Sequence, residues 1–348
     1  MWKEDEGRAS PNPEPMPFAK RSMNLVFYFL QQLVNALSIG SLYALMAVGL
    51  AMVFSILRLI NFAHGDLIMV AAYLAAFALL SKLPLGITIL LMLAGTVLIG
   101  LLMERVAYRP IRGASDVAAL LTSFAVGQIL ENGTLLVTRL LQKPNPLAFP
   151  VISVLSGVFT FGPITIPRVN VVSLVFGILL LVLLSLFLTR TDLGLSMRAA
   201  AEDLPAAQLM GIDINRVIAT AFAIGSGLAA VAGLLFAVQA GQLTPYMGFT
   251  PVLKAFIAAV IGGFGSIGGA IVGGYVLGGL EVFLTAIPGI GDILPPGLVS
   301  SGVQSWLKRW LPSSLTSYRD AFVFVVLILV LLFRPNGILG RREREELG

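Results

Sequence analysis

From Val171 to Leu188 the sequence reads VVSLVFGILLLVLLSLFL, an apolar run with no charged residue in it. About 20 apolar residues in a helix cross the hydrocarbon of a bilayer. Backbone amides in lipid must be paired inside the spanning structure, which leaves helices or closed barrels. A barrel strand alternates apolar and polar residues, and this run does not. It reads as a membrane helix. Further apolar segments lie at about 24–39, 40–58, 66–81, 85–106, 115–140, 217–240, 252–264, 268–286 and 320–334. The first, the one at 252–264 and the last are short for a full crossing. The expected fold is therefore an all-α polytopic membrane protein with eight to ten transmembrane helices, some of them short re-entrant or broken segments.

Composition agrees. Hydrophobic residues are 57% of the 348 and charged residues 12%, with mean hydropathy +0.93, where a soluble domain carries about a quarter charged residues. There is no cysteine, which excludes disulfides and thiolate metal sites. The net charge of +5 comes from basic residues at the ends of apolar segments, not from a nucleic-acid patch. Residues 1–23 read as a polar, disordered tail, 24–336 as the membrane domain with a polar loop at 191–216, and 337–348 as a charged cytoplasmic tail.

Lys and Arg collect in cytoplasmic loops. Three groups stand out: Arg105, Arg109 and Arg112; Arg190, Arg198 and Arg216; and Arg334, Arg341, Arg342 and Arg344. Ten crossings with the N-terminus inside place all three in the cytoplasm. The loops 141–169 and 287–319 then face out. The second contains Gln304-Ser305-Trp306-Leu307-Lys308-Arg309-Trp310-Leu311, whose Trp and basic residues suit a short interfacial helix.

From Ile261 the chain reads IGGFGSIGGAIVGGYVLGGLE. Gly265, Gly269 and Gly273 are four apart, a spacing that stacks small residues on one helix face for close packing; Gly274 and Gly278 repeat it. The stretch Gly263–Gly268 also has the makings of a tight turn. It is not a phosphate loop, because no Lys-Ser/Thr follows, and G-x-x-x-x-G-K-[ST] occurs nowhere in the chain. If ATP drives this protein, another polypeptide binds it.

The loop 191–216 reads TDLGLSMRAAAEDLPAAQLMGIDINR. Leu193–Glu202 favours a helix, Pro205 suits the first turn of a second, and Gly211 suits its C-terminal end. Met197, Ala201 and Leu204 are spaced to form a narrow apolar stripe. On chemistry alone the pair is either a compact knob for a partner or an amphipathic connector.

Intramembrane ionisable groups are costly and are functional candidates by default. His64, the single histidine, lies in Asn61-Phe62-Ala63-His64-Gly65-Asp66. A metal site wants three or four ligands, and no second histidine exists; no nucleophile motif accompanies the segment. Asn61, His64 and Asp66 are therefore either a polar break between spans or groups on a translocation path. Glu131 and Glu281 are the other acids in apolar segments, candidates for interhelical hydrogen bonds or solute contact. A self-powered secondary transporter would use Asp66, Glu131 and Glu281 for ion coupling; a membrane enzyme would be built around His64 and Asp66.

NALSIGSLYALMAVGLAMVFSILRLINFAHGDLIMVAAYL, MRAAAEDLPAAQLMGIDINRV and GGFGSIGGAIVGGYVLGGLE resemble the LivH-type permeases of branched-chain amino acid ABC transporters, from about residue 24 onward. The polar N-terminus and the 287–319 loop fit the pattern least. The resemblance implies an importer permease in a bacterial-type plasma membrane, without cofactor of its own, ATP being bound by partner subunits. Its implied partners are a second, LivM-like permease chain, two ATP-binding subunits and an extracytoplasmic substrate-binding protein. It also implies that Arg198, Ala201, Glu202, Ala207 and Gly211 belong to the element that docks into the ATP-binding subunit. Related permeases carry urea, short amides or other amino acids, and the residues do not choose among these solutes.

Overall fold

The computed structural model describes residues 18–162, 164–293, 302 and 318–340. The expected interfacial helix at 304–311, and most of the expected N- and C-terminal tails, lie outside them. Within the described residues the regular structure is helical apart from two small two-stranded sheets. The helices are α1 (Phe18–Leu57), α2 (His64–Leu80), α3 (Leu85–Met103), α4 (Asp116–Leu140), α5 (Arg168–Arg190), α6 (Asp192–Glu202), α7 (Leu204–Leu209), α8 (Ile214–Ala240), α9 (Phe249–Gly262), α10 (Ile267–Ile293) and α11 (Arg319–Phe333). Six of them are long and apolar enough to cross a membrane, while α2, α9 and α11 are apolar but shorter.

The first two expected segments are one helix. α1 runs unbroken for 40 residues through Ser38-Ile39-Gly40-Ser41, where the drop in hydropathy suggests a boundary. The serines are accommodated inside the bundle: Ser41 Oγ donates to the Leu37 carbonyl at 2.9 Å and Ser38 Oγ to the Asn170 carbonyl at 3.0 Å. A span boundary at that point is thereby removed, so that the segments expected at 24–39 and 40–58 are a single crossing.

Two parts of the chain repeat the same order of elements. A long helix (α1 or α8) is followed by an irregular segment, a short helix (α2 or α9), a tight turn and a long helix (α3 or α10). The copies run in opposite senses. The short helices meet at their N-termini, Gly65 of α2 against the Gly248 carbonyl before α9; from there α2 runs towards the strand Gln242–Leu243, and α9 towards the turn whose Phe264 packs on Phe54 near the end of α1. α1 and α8 cross at Gly49 and Gly225, again glycine on glycine. Inverted repeats with interrupted helices are a recurrent plan among transporters.

One end of the bundle gathers Arg58, the α3–α4 connection with Arg105, Arg109 and Arg112, the α5 end with Arg190, α6, α7, the α9–α10 turn and Arg334. The opposite end carries β1 (Leu147–Ala148) paired with β4 (Gln242–Leu243), and the hairpin of β2 (Val158–Phe161) and β3 (Ile164–Pro167). Gln31 ties that hairpin to α1 through the Thr165 backbone, at 2.7 and 2.9 Å.

The glycine-rich stretch serves two neighbours. Gly269 and Gly273 lie against α9, at Gly262 and Ala258, while Gly274 and Gly278 lie against α1, at Ala44 and Gly40. Gly265 is not on the helix but in the α9–α10 turn, with φ of +89°, a conformation that favours glycine. A methyl on Gly278 would fall 2.5 Å from the Gly40 nitrogen, whereas nothing lies within 4 Å of one on Gly279. Gly278→Ala should therefore destabilise by about 1–3 kcal/mol and Gly279→Ala by less than about 0.5 kcal/mol. Equal thermal melts for the two purified variants would refute this packing.

Candidate functional site

The structure divides the polar candidates into two groups. Asn61, His64, Asp66 and Glu131 surround the break before α2. The chain turns at 61–63, and the backbone N–H groups of His64 and Gly65 donate to the carbonyls of Asn61 and Phe62, each at 3.2 Å. Asn61 Oδ1 accepts from the Tyr108 hydroxyl at 2.6 Å. Tyr108 ends a π-helical turn, Glu104–Tyr108, that continues α3, and such turns often mark functional places. Asp66 faces α4 at Gly127, one turn from Glu131, which accepts from Gln128 Nε2 at 2.8 Å. His64 is buried against Gly49 of α1, and its Nε2 has no hydrogen-bond partner among the described residues. No hydrogen bond of that nitrogen is lost on substitution, so His64→Gln should retain most of the solute uptake. Loss of uptake with normal membrane insertion would instead put His64 on the transport path.

Glu281 belongs elsewhere. Lys254 of α9 points its ammonium at Glu281 Oε1, 2.5 Å away, and donates to the Tyr43 hydroxyl at 3.0 Å. Tyr43 in turn donates to Glu281 Oε2 at 2.5 Å. Asp320, at the start of α11, stands 3.4 Å from the same ammonium. Lys254 and Glu281 are both buried, and burying such a pair costs desolvation that apolar packing avoids. Lys254 escaped the reading of the sequence, which considered only acids and histidine. The signal was there: a lone lysine in FTPVLKAFIAAVIG is an intramembrane charge like the others.

At the arginine-rich end, α6 and α7 form the expected helix pair. Thr191 caps α6 through the Gly194 N–H at 3.0 Å, and Asp203 caps α7 through the Ala206 N–H at 2.9 Å. Pro205 sits in the first turn of α7, where a missing N–H costs nothing. Gly211 closes it at φ of +82°, with Gly211 N–H donating to Gln208 and Ile212 N–H to the Ala207 carbonyl, the paired bonds of a Schellman end. The five residues assigned to this element have different surroundings. Arg198, Ala201 and Glu202 line a cleft of about 1310 Å³ shared with Arg58 and the α9–α10 turn. Ala207 is buried, and Gly211 has open space around it. Leu209 and Met210, which the sequence did not single out, are 89% and 83% exposed. They form an apolar tip. At the same end of the bundle Arg112 bonds Asn215 at 2.6 Å and pairs with the buried Glu104, fixing the start of α8 to the end of α3.

The family described as "Branched-chain amino acid transport system / permease component" matches residues 32–331. The chain belongs to that family. It is 39% identical over 336 residues to the high-affinity branched-chain amino acid transport system permease protein BraD of Pseudomonas aeruginosa, covering 92% of this chain and 99% of that protein. Identity to the permease protein LivH of Escherichia coli is 36% over 334 residues, 92% of this chain and 98% of the relative. A probable LivH of Methanocaldococcus jannaschii is 27% identical over 317 residues, 88% and 91%. The residues matched by the family, 32–331, take in the α6–α7 pair and the Lys254–Glu281 cluster. As a branched-chain amino acid transport permease, the chain is part of a multi-component transport system, and its apolar helices are its membrane domain.

Proposed function

We propose that this chain is one permease subunit of an ATP-driven importer, moving branched-chain amino acids inward across the plasma membrane. The observation that carries the reading is the α6–α7 knob, within a chain whose relatives are named as high-affinity branched-chain amino acid permeases. A pair of capped helices with an exposed apolar tip suits a groove on a partner, and neither an ion-coupled carrier nor a membrane enzyme has use for it. The partner is an ATP-binding subunit, since the chain has no phosphate loop of its own. On this reading the arginine-rich end is cytoplasmic, in keeping with the distribution of basic residues, and the β2–β3 hairpin faces the substrate-binding protein. A second permease chain completes the pore.

The test is uptake in proteoliposomes. The complex purified with its ATP-binding subunits, supplied with loaded binding protein, should take up leucine, isoleucine or valine only when ATP is present. Uptake by this chain alone on an ion gradient would sink the reading in favour of a secondary transporter.

A further inference from the structure

Leu42, Tyr43 and Met46 share one face of α1 and, with Phe236 and Gln239 of α8 and Lys254 of α9, line a cavity of about 230 Å³. Its depth follows from α1. Tyr28 bonds the Ala286 carbonyl towards the hairpin end, and Arg58 lies at the arginine-rich end. Tyr43 is midway, about 22 Å from each at about 1.5 Å per residue. The cavity also lies where α1 of the first repeat meets α8 and α9 of the second. Mid-depth at the interface of inverted repeats is where carriers of this plan hold solute.

Size and charge narrow the occupant. The volume equals about eight waters at about 30 Å³ each and falls below the range of about 300–1,000 Å³ for drug-sized ligands. Among the lining residues Lys254 alone is charged. An ammonium has three N–H donors. One is held by Glu281 and one by Tyr43; the third reaches towards Asp320 at 3.4 Å, whose side chain is 66% exposed. A contact to so exposed a carboxylate is weak and is the exchangeable one. Gln239 donates to Ser173 Oγ at 3.5 Å and keeps its side-chain oxygen as an acceptor. Leu42, Met46 and Phe236 supply apolar lining.

We infer that this cavity is a transit subsite for a small zwitterionic amino acid. Lys254 takes the α-carboxylate in place of Asp320, Gln239 accepts from the α-ammonium, and Leu42, Met46 and Phe236 surround the aliphatic side chain. Glu281 and Tyr43 hold the ammonium of Lys254 in position. The assignment rests on the proposed amino-acid import and names the place in this chain where the solute stops.

The test uses the assembled complex with its binding protein in proteoliposomes and radiolabelled leucine. Lys254→Gln should lower uptake about tenfold or more, the effect of losing a charged hydrogen bond. The exchange Lys254→Glu with Glu281→Lys restores the ion pair but puts an acid on the cavity wall, so uptake should stay low. Ala240→Phe, at the exposed rim of the cavity, leaves the ion pair intact and should block uptake while ATP hydrolysis stimulated by loaded binding protein persists. Should the Lys254 variants fail to assemble, Ala240→Phe decides alone. Wild-type uptake in the exchanged pair, or in Ala240→Phe, overturns the subsite. A wild-type complex that takes up none of leucine, isoleucine and valine overturns the proposed function itself and, with it, the ligand class.

Discussion

Gly211→Val should leave the chain inserted in the membrane and ATP hydrolysis running, while solute uptake collapses. Gly211 has φ of +82° and closes α7 beneath the exposed Leu209 and Met210. A side chain in that left-handed conformation costs about 1–2 kcal/mol, more for a β-branched residue. Nothing lies within 4 Å of a methyl at this position, so the effect is on the backbone that aims the apolar tip and not on packing. An energy of that size changes the population of the correctly closed turn by about 5–30-fold. Gly211→Asn tolerates the conformation and should couple normally. Uptake and ATPase rates measured on the three complexes decide it; a valine variant that transports like the parent removes the α6–α7 knob from the coupling path.

The second large effect is at the meeting of the two short helices. A methyl on Gly65 would run into the Gly248 carbonyl, and one on Gly248 would fall 2.6 Å from the Gly65 carbonyl and 2.7 Å from Asp66 Oδ1. The two carbonyls are backbone, and backbone yields less readily than the end of a side chain such as Asp66. Gly65→Val should cost more than about 3 kcal/mol, above the usual range for overpacking, and yield little folded complex. Gly133→Ala on α4, with nothing within 4 Å, serves as the neutral comparison. Size-exclusion profiles and melting temperatures of the purified complexes report the difference, and a stable Gly65→Val complex would contradict the crossing.

The membrane character of the chain was plain in runs such as Val171–Leu188, because one helix can be judged from its own residues. The α6–α7 pair was legible for the same reason: Pro205 and Gly211 act within a few residues of themselves. What depended on distant partners was not. The dip at Ser38–Ser41 suggests two spans only until Tyr275, Gly274 and Gly278 of α10 are placed beside it. Glu281 stood out as an intramembrane acid, but its lysine lies on another helix, and a cavity between three helices leaves no local pattern. The glycine spacing announced close packing without saying that alternate glycines face α9 and α1.

The antiparallel contact of Gly65 with Gly248 also bears on biogenesis. α2 and α9 are too short to settle across a bilayer by themselves, and each leans on helices from the other half of the chain. At about 5–20 residues per second of synthesis, Gly248 follows Gly65 out of the ribosome after about 10–40 s. For that interval the first short helix has no mate, and its broken backbone at 58–63 must be sheltered by something other than its final neighbours. Chains halted between the two repeats should therefore stay bound to membrane-resident chaperones or insertion factors, and synthesis past α9 should release them.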